Sequence, residues 1–145
     1  MIAIIAALPD ELSAIEAAAA TEGPLEERLV AGHRVRTGRL CGRDVMLALS
    51  GVGKVAAASA VTVLAERASA VVMVGTAGGL GVGVEPGDVV VAAELLQHDL
   101  DARPLWERWV VPSLGIARVP ADPGLTGALA AAAEEARNCR AGSAY

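Results

Sequence analysis

Val45-Met46-Leu47-Ala48-Leu49-Ser50-Gly51-Val52-Gly53-Lys54-Val55-Ala56-Ala57-Ala58-Ser59-Ala60-Val61-Thr62-Val63-Leu64 is the stretch whose reading decides the fold. Its first five residues form a continuous apolar run, the pattern of a strand buried on both faces. Ser50-Gly51-Val52-Gly53 breaks that run with two glycines, and an alanine-rich helix over 54–67 follows, with Val55, Val61 and Leu64 on or near one face. Strand, tight turn and helix in that order form the repeating unit of an α/β sheet.

The same unit recurs on both sides. Upstream, Ile2-Ala3-Ile4-Ile5-Ala6-Ala7 reads as a buried strand. Pro9 suits the first turn of a helix, Asp10 and Glu11 suit its positive dipole end, and Leu12, Ile15 and Ala19 repeat at helical spacing. Residues 21–27 are polar around Gly23-Pro24 and read as a connection. Val35, Thr37 and Arg39 alternate with Arg34, Arg36 and Gly38 as a strand, and Cys41-Gly42-Arg43-Asp44 turns into the run at Val45.

Downstream, Val71-Val72-Met73-Val74 is a further buried strand closed by Gly75-Thr76-Ala77-Gly78-Gly79. Pro86-Gly87-Asp88 is a turn before an expected strand at Val89-Val90-Val91-Ala92-Ala93. Residues 94–120 are irregular, with Pro104, Pro112 and Pro120. Asp122-Pro123-Gly124 opens a last helix to about Arg137, with Leu125, Leu129 and Ala132 on one face. The expectation is a three-layer αβα fold around a twisted, mostly parallel or mixed sheet.

Composition narrows the function classes. Hydrophobic residues make up 54% of the 145 and aromatics only 2% (Trp106, Trp109 and Tyr145), so a core must come from Ala, Val, Leu and Ile. Base-stacking platforms for single-stranded nucleic acid are then excluded, and a formal charge of −5 recommends no polyanion. Cys41 and Cys139 are far apart, as are His33 and His98, so neither a disulfide framework nor a His/Cys metal site is expected. The apolar start lacks a basic flank and runs into Pro9-Asp10-Glu11, unlike a signal peptide. The longest apolar stretch, 70–84, is shorter than a membrane span and broken by five glycines. A soluble, reducing, cytoplasmic setting without membrane or nucleic-acid partners is expected.

Ligands of such sheets sit beyond the carboxyl ends of the strands, where turns leave backbone N–H groups free. Gly51-Val52-Gly53-Lys54-Val55-Ala56 fits the G-x-G-x-x-A form of a dinucleotide fingerprint, but the next strand ends in Gly75-Thr76, where an acid should stand. A phosphate-binding P-loop fails at Val55, which replaces the magnesium-binding hydroxyl. A purely structural turn explains these glycines equally. At 75–79 the Thr76 hydroxyl and the bare backbone at Gly78 and Gly79 would let a flat ligand approach closely, and here too a structural turn stays open.

Taken in order, Ala7-Leu8-Pro9-Asp10-Glu11, 50–58, Gly75-Thr76-Ala77-Gly78-Gly79-Leu80, Pro86-Gly87-Asp88-Val89-Val90-Val91 and His98-Asp99-Leu100-Asp101 resemble the methylthioadenosine/S-adenosylhomocysteine nucleosidases of the nucleoside phosphorylase/hydrolase superfamily. The resemblance runs from Met1 to about Arg137, as the N-terminal portion of such a domain, and leaves 138–145 as an unmatched tail. It implies hydrolysis of the N-glycosidic bond of an adenine nucleoside through an oxocarbenium-like transition state, with no metal or organic cofactor. Glu11 falls on the water-activating glutamate, although an acid in a first helical turn is by itself an ordinary dipole partner. The resemblance further implies that Ala7, Leu8 and Val52 line the ribose and alkylthio side, that the Thr76 hydroxyl holds the catalytic acid, and that Ala77 and Gly78 flank the purine. Residues 101–105, with Ala102 and Leu105, are similar to a loop that covers a neighbouring subunit's site, which implies a homodimer.

Phosphorolysis, the superfamily's other activity, calls for an arginine after the first strand, where this chain has Leu8-Pro9-Asp10-Glu11. Nothing after Arg137 matches the family's Met-Glu and Ser-Asp elements, which grip the ribose and protonate purine N7. The expectation is therefore a domain truncated before its last strands and helices, weakly active or inactive alone. The alternatives are a non-catalytic purine-binding or dimerising module, or a site completed by a separately encoded chain.

Overall fold

A computed structural model describes residues 1–142, with side chains through residue 136, and these residues form two compact units, 1–78 and 79–142. In the first unit the chain runs through β1 (Ile2–Ala6), α1 (Pro9–Ala20), β2 (Glu26–Val30), β3 (His33–Leu40), β4 (Arg43–Leu49), α2 (Lys54–Ala65) and β5 (Ala70–Met73). The strands form one sheet in the order β2-β3-β4-β1-β5. β1 lies parallel to both β4 and β5, in register Ile2 with Val45 and Ile2 with Ala70, while β2, β3 and β4 pair antiparallel. The mixed sheet is as the sequence leads one to expect.

Alternation along the strands divides the core into two faces. Ala3, Ile5, Val35, Met46 and Ala48 point to one side and pack with Leu64 and Val61 of α2. Ile4, Ala6, Val45 and Leu47 point to the other and pack with Leu12, Ile15 and Ala19 of α1. The two helices thus cover opposite faces, which makes the three layers. Arg36 on β3 pairs with Glu16 of α1 at 2.7 Å and with Glu27 of β2 at 2.9 Å, fixing α1 along the sheet.

One feature of this unit differs from expectation. Part of the stretch taken as a connection is β2, whose sequence Glu26-Glu27-Arg28-Leu29-Val30 is exposed throughout. An edge strand with both faces in water carries no apolar alternation, and its pairing with β3 alone holds it. The Cys41-Gly42 turn between β3 and β4 has positive φ at both residues (51° and 70°), as a two-residue hairpin loop of this twist requires. Both turn N–H groups donate to the Glu22 carboxylate, at 2.5 and 2.9 Å.

The second unit holds β6 (Glu94–Leu96), β7 (Arg118–Pro120) and α3 (Pro123–Gly142). The expected strand at 89–93 is absent: among the described residues it forms no ladder, although the Ala121 N–H donates to the Ala93 carbonyl at 2.9 Å, and Val89 and Val90 are exposed. A strand needs a ladder partner, and the ladder here begins one residue later, where β6 pairs antiparallel with β7 in register Glu94 with Pro120, and the Glu94 carboxylate forms an ion pair with Arg118. Asp122 caps α3 through a 2.8 Å bond from the Leu125 N–H, as its sequence suggests. The helix runs past Arg137 to Gly142, because no proline or glycine interrupts it between 128 and 141. Of the expected tail, 138–142 is therefore helical and 143–145 lies outside the described residues.

Candidate active site

β1, β4 and β5 run parallel, so the turns after them share one end of the sheet. Ala7 and Leu8 follow β1, Val52 follows β4, and Thr76, Ala77 and Gly78 follow β5. The ends are tied together: the Ser50 N–H donates to the Ala6 carbonyl at 2.9 Å, and the Val74 N–H donates to the Ile5 carbonyl at 2.9 Å. Ser50, buried at the end of β4, also keeps its hydroxyl 2.9 Å from the Gly51 carbonyl and 3.3 Å from that of Ala6. After β1 the chain leaves over one face as α1, and after the adjacent β4 it leaves over the other as α2. Such a switch point opens a crevice at the carboxyl ends of the strands.

Glu11 is the third residue of α1. Its Oε2 accepts the N–H of Ala7 at 3.1 Å and of Leu8 at 2.9 Å. The Leu8 bond is the reciprocal half of a capping box, and leucine offers no acceptor for the other half. Oε1 accepts both the N–H of Thr76 at 2.9 Å and its hydroxyl at 3.0 Å. The carboxylate therefore bridges the tip of β1 to the tip of β5. These bonds, led by the Thr76 and Leu8 N–H groups and the Thr76 hydroxyl, hold its pKa below the ordinary 4.5 against a smaller opposing effect of partial burial. Glu11 is an anion at neutral pH.

The structure brings together Ala7, Leu8, Glu11 and Thr76 in direct hydrogen bonding, and Val52, Ala77 and Gly78 stand exposed at the same end of the sheet. The Thr76 hydroxyl, expected to hold a catalytic acid, here serves Glu11. Gly51 and Gly53 have φ of 78° and 105°, and Gly53 precedes the first residue of α2, so the turn geometry alone accounts for both glycines. Ala102 and Leu105 belong to the second unit. There the Ala102 carbonyl accepts the Trp106 N–H at 3.2 Å, and Asp101 is clamped by Arg103, which holds its pKa at about 2.

Gly75 is a site residue that sequence reasoning passed over. A Cβ built on it would lie 3.0 Å from Glu11 Oε1 and 3.3 Å from Glu11 Cδ. A glycine carries no chemistry to flag it; the available signal was its place directly before the hydroxyl residue at a strand tip. A cavity of about 220 Å³ in the first unit lies elsewhere, lined by Pro9, Glu16, Arg34, Arg36 and 47–49. Among the described residues no cluster of three His, Cys, Asp or Glu side chains could hold a metal ion, and no helix is long and apolar enough to cross a membrane.

An open α/β sheet with an anionic carboxylate bridging two strand tips defines a class of small-molecule site at the carboxyl ends of parallel strands. The chain belongs to the phosphorylase superfamily, whose family model matches residues 1–143. Within it, the likeness is to methylthioadenosine/S-adenosylhomocysteine nucleosidases. That of Oceanobacillus iheyensis is 42% identical over 103 residues, 70% of this chain and 44% of that protein. That of Chromohalobacter salexigens is 39% identical over 127 residues, 86% of this chain and 52% of that protein. The structure of the Neisseria meningitidis nucleosidase in complex with methylthio-immucillin-A superposes with a TM-score of 0.85 at 32% identity, covering 92% of this chain and 58% of that one. The Colwellia psychrerythraea nucleosidase in complex with adenine gives 0.81 at 32% identity, covering 88% and 52%. The chain spans about half the length of the curated relatives it matches.

Proposed function

We propose that this chain carries the water-orienting side of an adenine-nucleoside hydrolase site, acting on the N-glycosidic bond of methylthioadenosine or S-adenosylhomocysteine. The observation that carries this reading is the Glu11 carboxylate, fixed between the β1 and β5 tips by three N–H groups and a hydroxyl. The relatives' names and their adenine-analogue complexes support the substrate class.

In the proposed reaction the C1′–N9 bond breaks as positive charge builds on the ribosyl ring. Water adds to C1′, its proton passes to Glu11, and adenine departs with a second proton that N7 takes up from a general acid or, where only these residues are present, from solvent. An oxocarbenium-like transition state needs a nearby anion more than a strong base, because attack by water lags behind bond breaking. The depressed pKa of Glu11 suits that role, since the group stays ionised and fixed. Ala7, Leu8 and Val52 would line the sugar and alkylthio side, and Thr76, Ala77 and Gly78 the purine side. In a homodimer, Ala102 and Leu105 would cover the neighbouring subunit's site.

The resemblance places the purine-protonating acid and the ribose-binding glutamate beyond the matched segments. We therefore propose that residues 1–145, assayed by themselves, turn over slowly, since cleavage without a general acid is slower by about 10²–10⁴-fold. Hydrolysis rather than phosphorolysis is favoured by Asp10 and Glu11 after β1, which oppose an inorganic anion. Product analysis with and without phosphate tests this: adenine and free methylthioribose in both cases support the reading, and a sugar 1-phosphate formed only with phosphate contradicts it.

A further inference from the structure

We propose that Gly75 is a positioning residue for Glu11, the missing Cβ leaving the space in which the carboxylate reaches the Thr76 N–H and hydroxyl. The inference rests on the reading of Glu11 as the water-orienting group and extends it to a residue that touches no substrate.

The backbone does not ask for glycine at 75. Its φ lies outside the left-handed region that Gly51 and Gly53 occupy, so an alanine could adopt the same conformation. What an alanine would meet is the carboxylate. Its Cβ would stand 3.0, 3.3 and 3.4 Å from Oε1, Cδ and Oε2 of Glu11, and these are the closest atoms to it outside its chain neighbours. Gly78, three residues on, has neither a left-handed φ nor, beyond its chain neighbours, any described atom within 4 Å of its would-be Cβ. Of these two glycines, Gly75 is crowded by the functional group and Gly78 is not.

The carboxylate has little freedom to yield. Oε2 is held by two rigid N–H groups of the β1 tip and Oε1 by Thr76. A methyl at 75 presses on both oxygens from the β5 side, and the movement open to the side chain is away from Thr76. The groups that act on the Glu11 titration are the Thr76, Leu8 and Ala7 N–H groups, the Thr76 hydroxyl and partial burial. Loosening the Thr76 bonds therefore moves it upward.

The test is a carbon-detected NMR titration of the Glu11 carboxyl in the 145-residue chain, with Glu11→Gln identifying the resonance. The parent and Gly78→Ala chains should titrate alike, below the ordinary carboxylate range, and Gly75→Ala should shift upward toward it. An unshifted Gly75→Ala titration overturns the proposal. A thermal-melting cycle supplies the second reading. Gly75→Ala should lower the midpoint in the Glu11 chain and leave it unchanged in a Glu11→Ala chain. Equal losses in both, or loss of the fold in both, would put the clash in the backbone frame and overturn the proposal. Neither measurement uses turnover, so a failed adenine-release assay removes the proposed function while these results stand, and the reverse also holds.

Discussion

Thr76 donates twice to a single oxygen of Glu11, through its N–H at 2.9 Å and its hydroxyl at 3.0 Å. The N–H is set by the backbone of the turn after β5, whereas the hydroxyl depends on the side chain. Replacing Thr76 by Val removes one donor and keeps the other, and Thr76→Ser keeps both. The Glu11 carboxyl should titrate higher in the Val chain than in the parent and unchanged in the Ser chain, read by the same NMR titration. A Val chain that titrates like the parent would show the hydroxyl bond to be idle.

Acid stability follows from the same bonds. The folded-state pKa of Glu11 lies below its ordinary value of 4.5, so its contribution to stability is complete above that value. It is lost as pH falls through the folded-state pKa. In the second unit Asp101, held at about 2 by Arg103, contributes with the same sign. Acid unfolding followed by circular dichroism should therefore begin at higher pH in Glu11→Gln and Thr76→Val chains than in the parent. Coincident acid transitions would contradict this linkage.

Leu12 is 1% exposed and lies on the buried face of α1, next to Glu11 in sequence. Leu12→Ala should cost about 2–5 kcal/mol, through lost transfer energy and a residual cavity. Denaturant unfolding measures it. A cost under about 1 kcal/mol would mean that α1 does not rest on the sheet through this residue.

Cys41 adopts φ of 51° in a two-residue hairpin whose second residue is Gly42. Asparagine tolerates that region better than cysteine, and Asn-Gly is the preferred pair for such a loop. Cys41→Asn should raise stability by about 0.5–1 kcal/mol, since the N–H groups that donate to Glu22 are retained. A destabilised Asn chain would show that the cysteine side chain matters to the turn.

Legibility in the sequence followed burial. Ile2–Ala6 and Val45–Leu49 were readable because central strands covered on both faces carry unbroken apolar runs, and Val71–Met73, partly buried at the edge of the sheet, carries such a run as well. Glu26–Val30 was not, because its place is fixed by hydrogen bonds to β3 and not by any apolar side chain turned inward. Val89–Ala93 shows the converse error: an apolar run supplies β propensity, but pairing decides whether a strand exists. At the site, Glu11 and Thr76 could be named from the order of the turns, yet their direct bond could not, since 65 residues separate them. Gly75 was invisible because its contribution is an absent atom.

The central claim is that the Glu11 carboxylate orients water for N-glycosidic cleavage. Its most direct test is the time course of adenine release from methylthioadenosine at pH 7, with the 145-residue chain in excess over nucleoside, compared with the same chain carrying Glu11→Gln. Slow release by the parent and release at the buffer rate by the Gln chain is the predicted result; equal rates in the two chains, zero included, would contradict it.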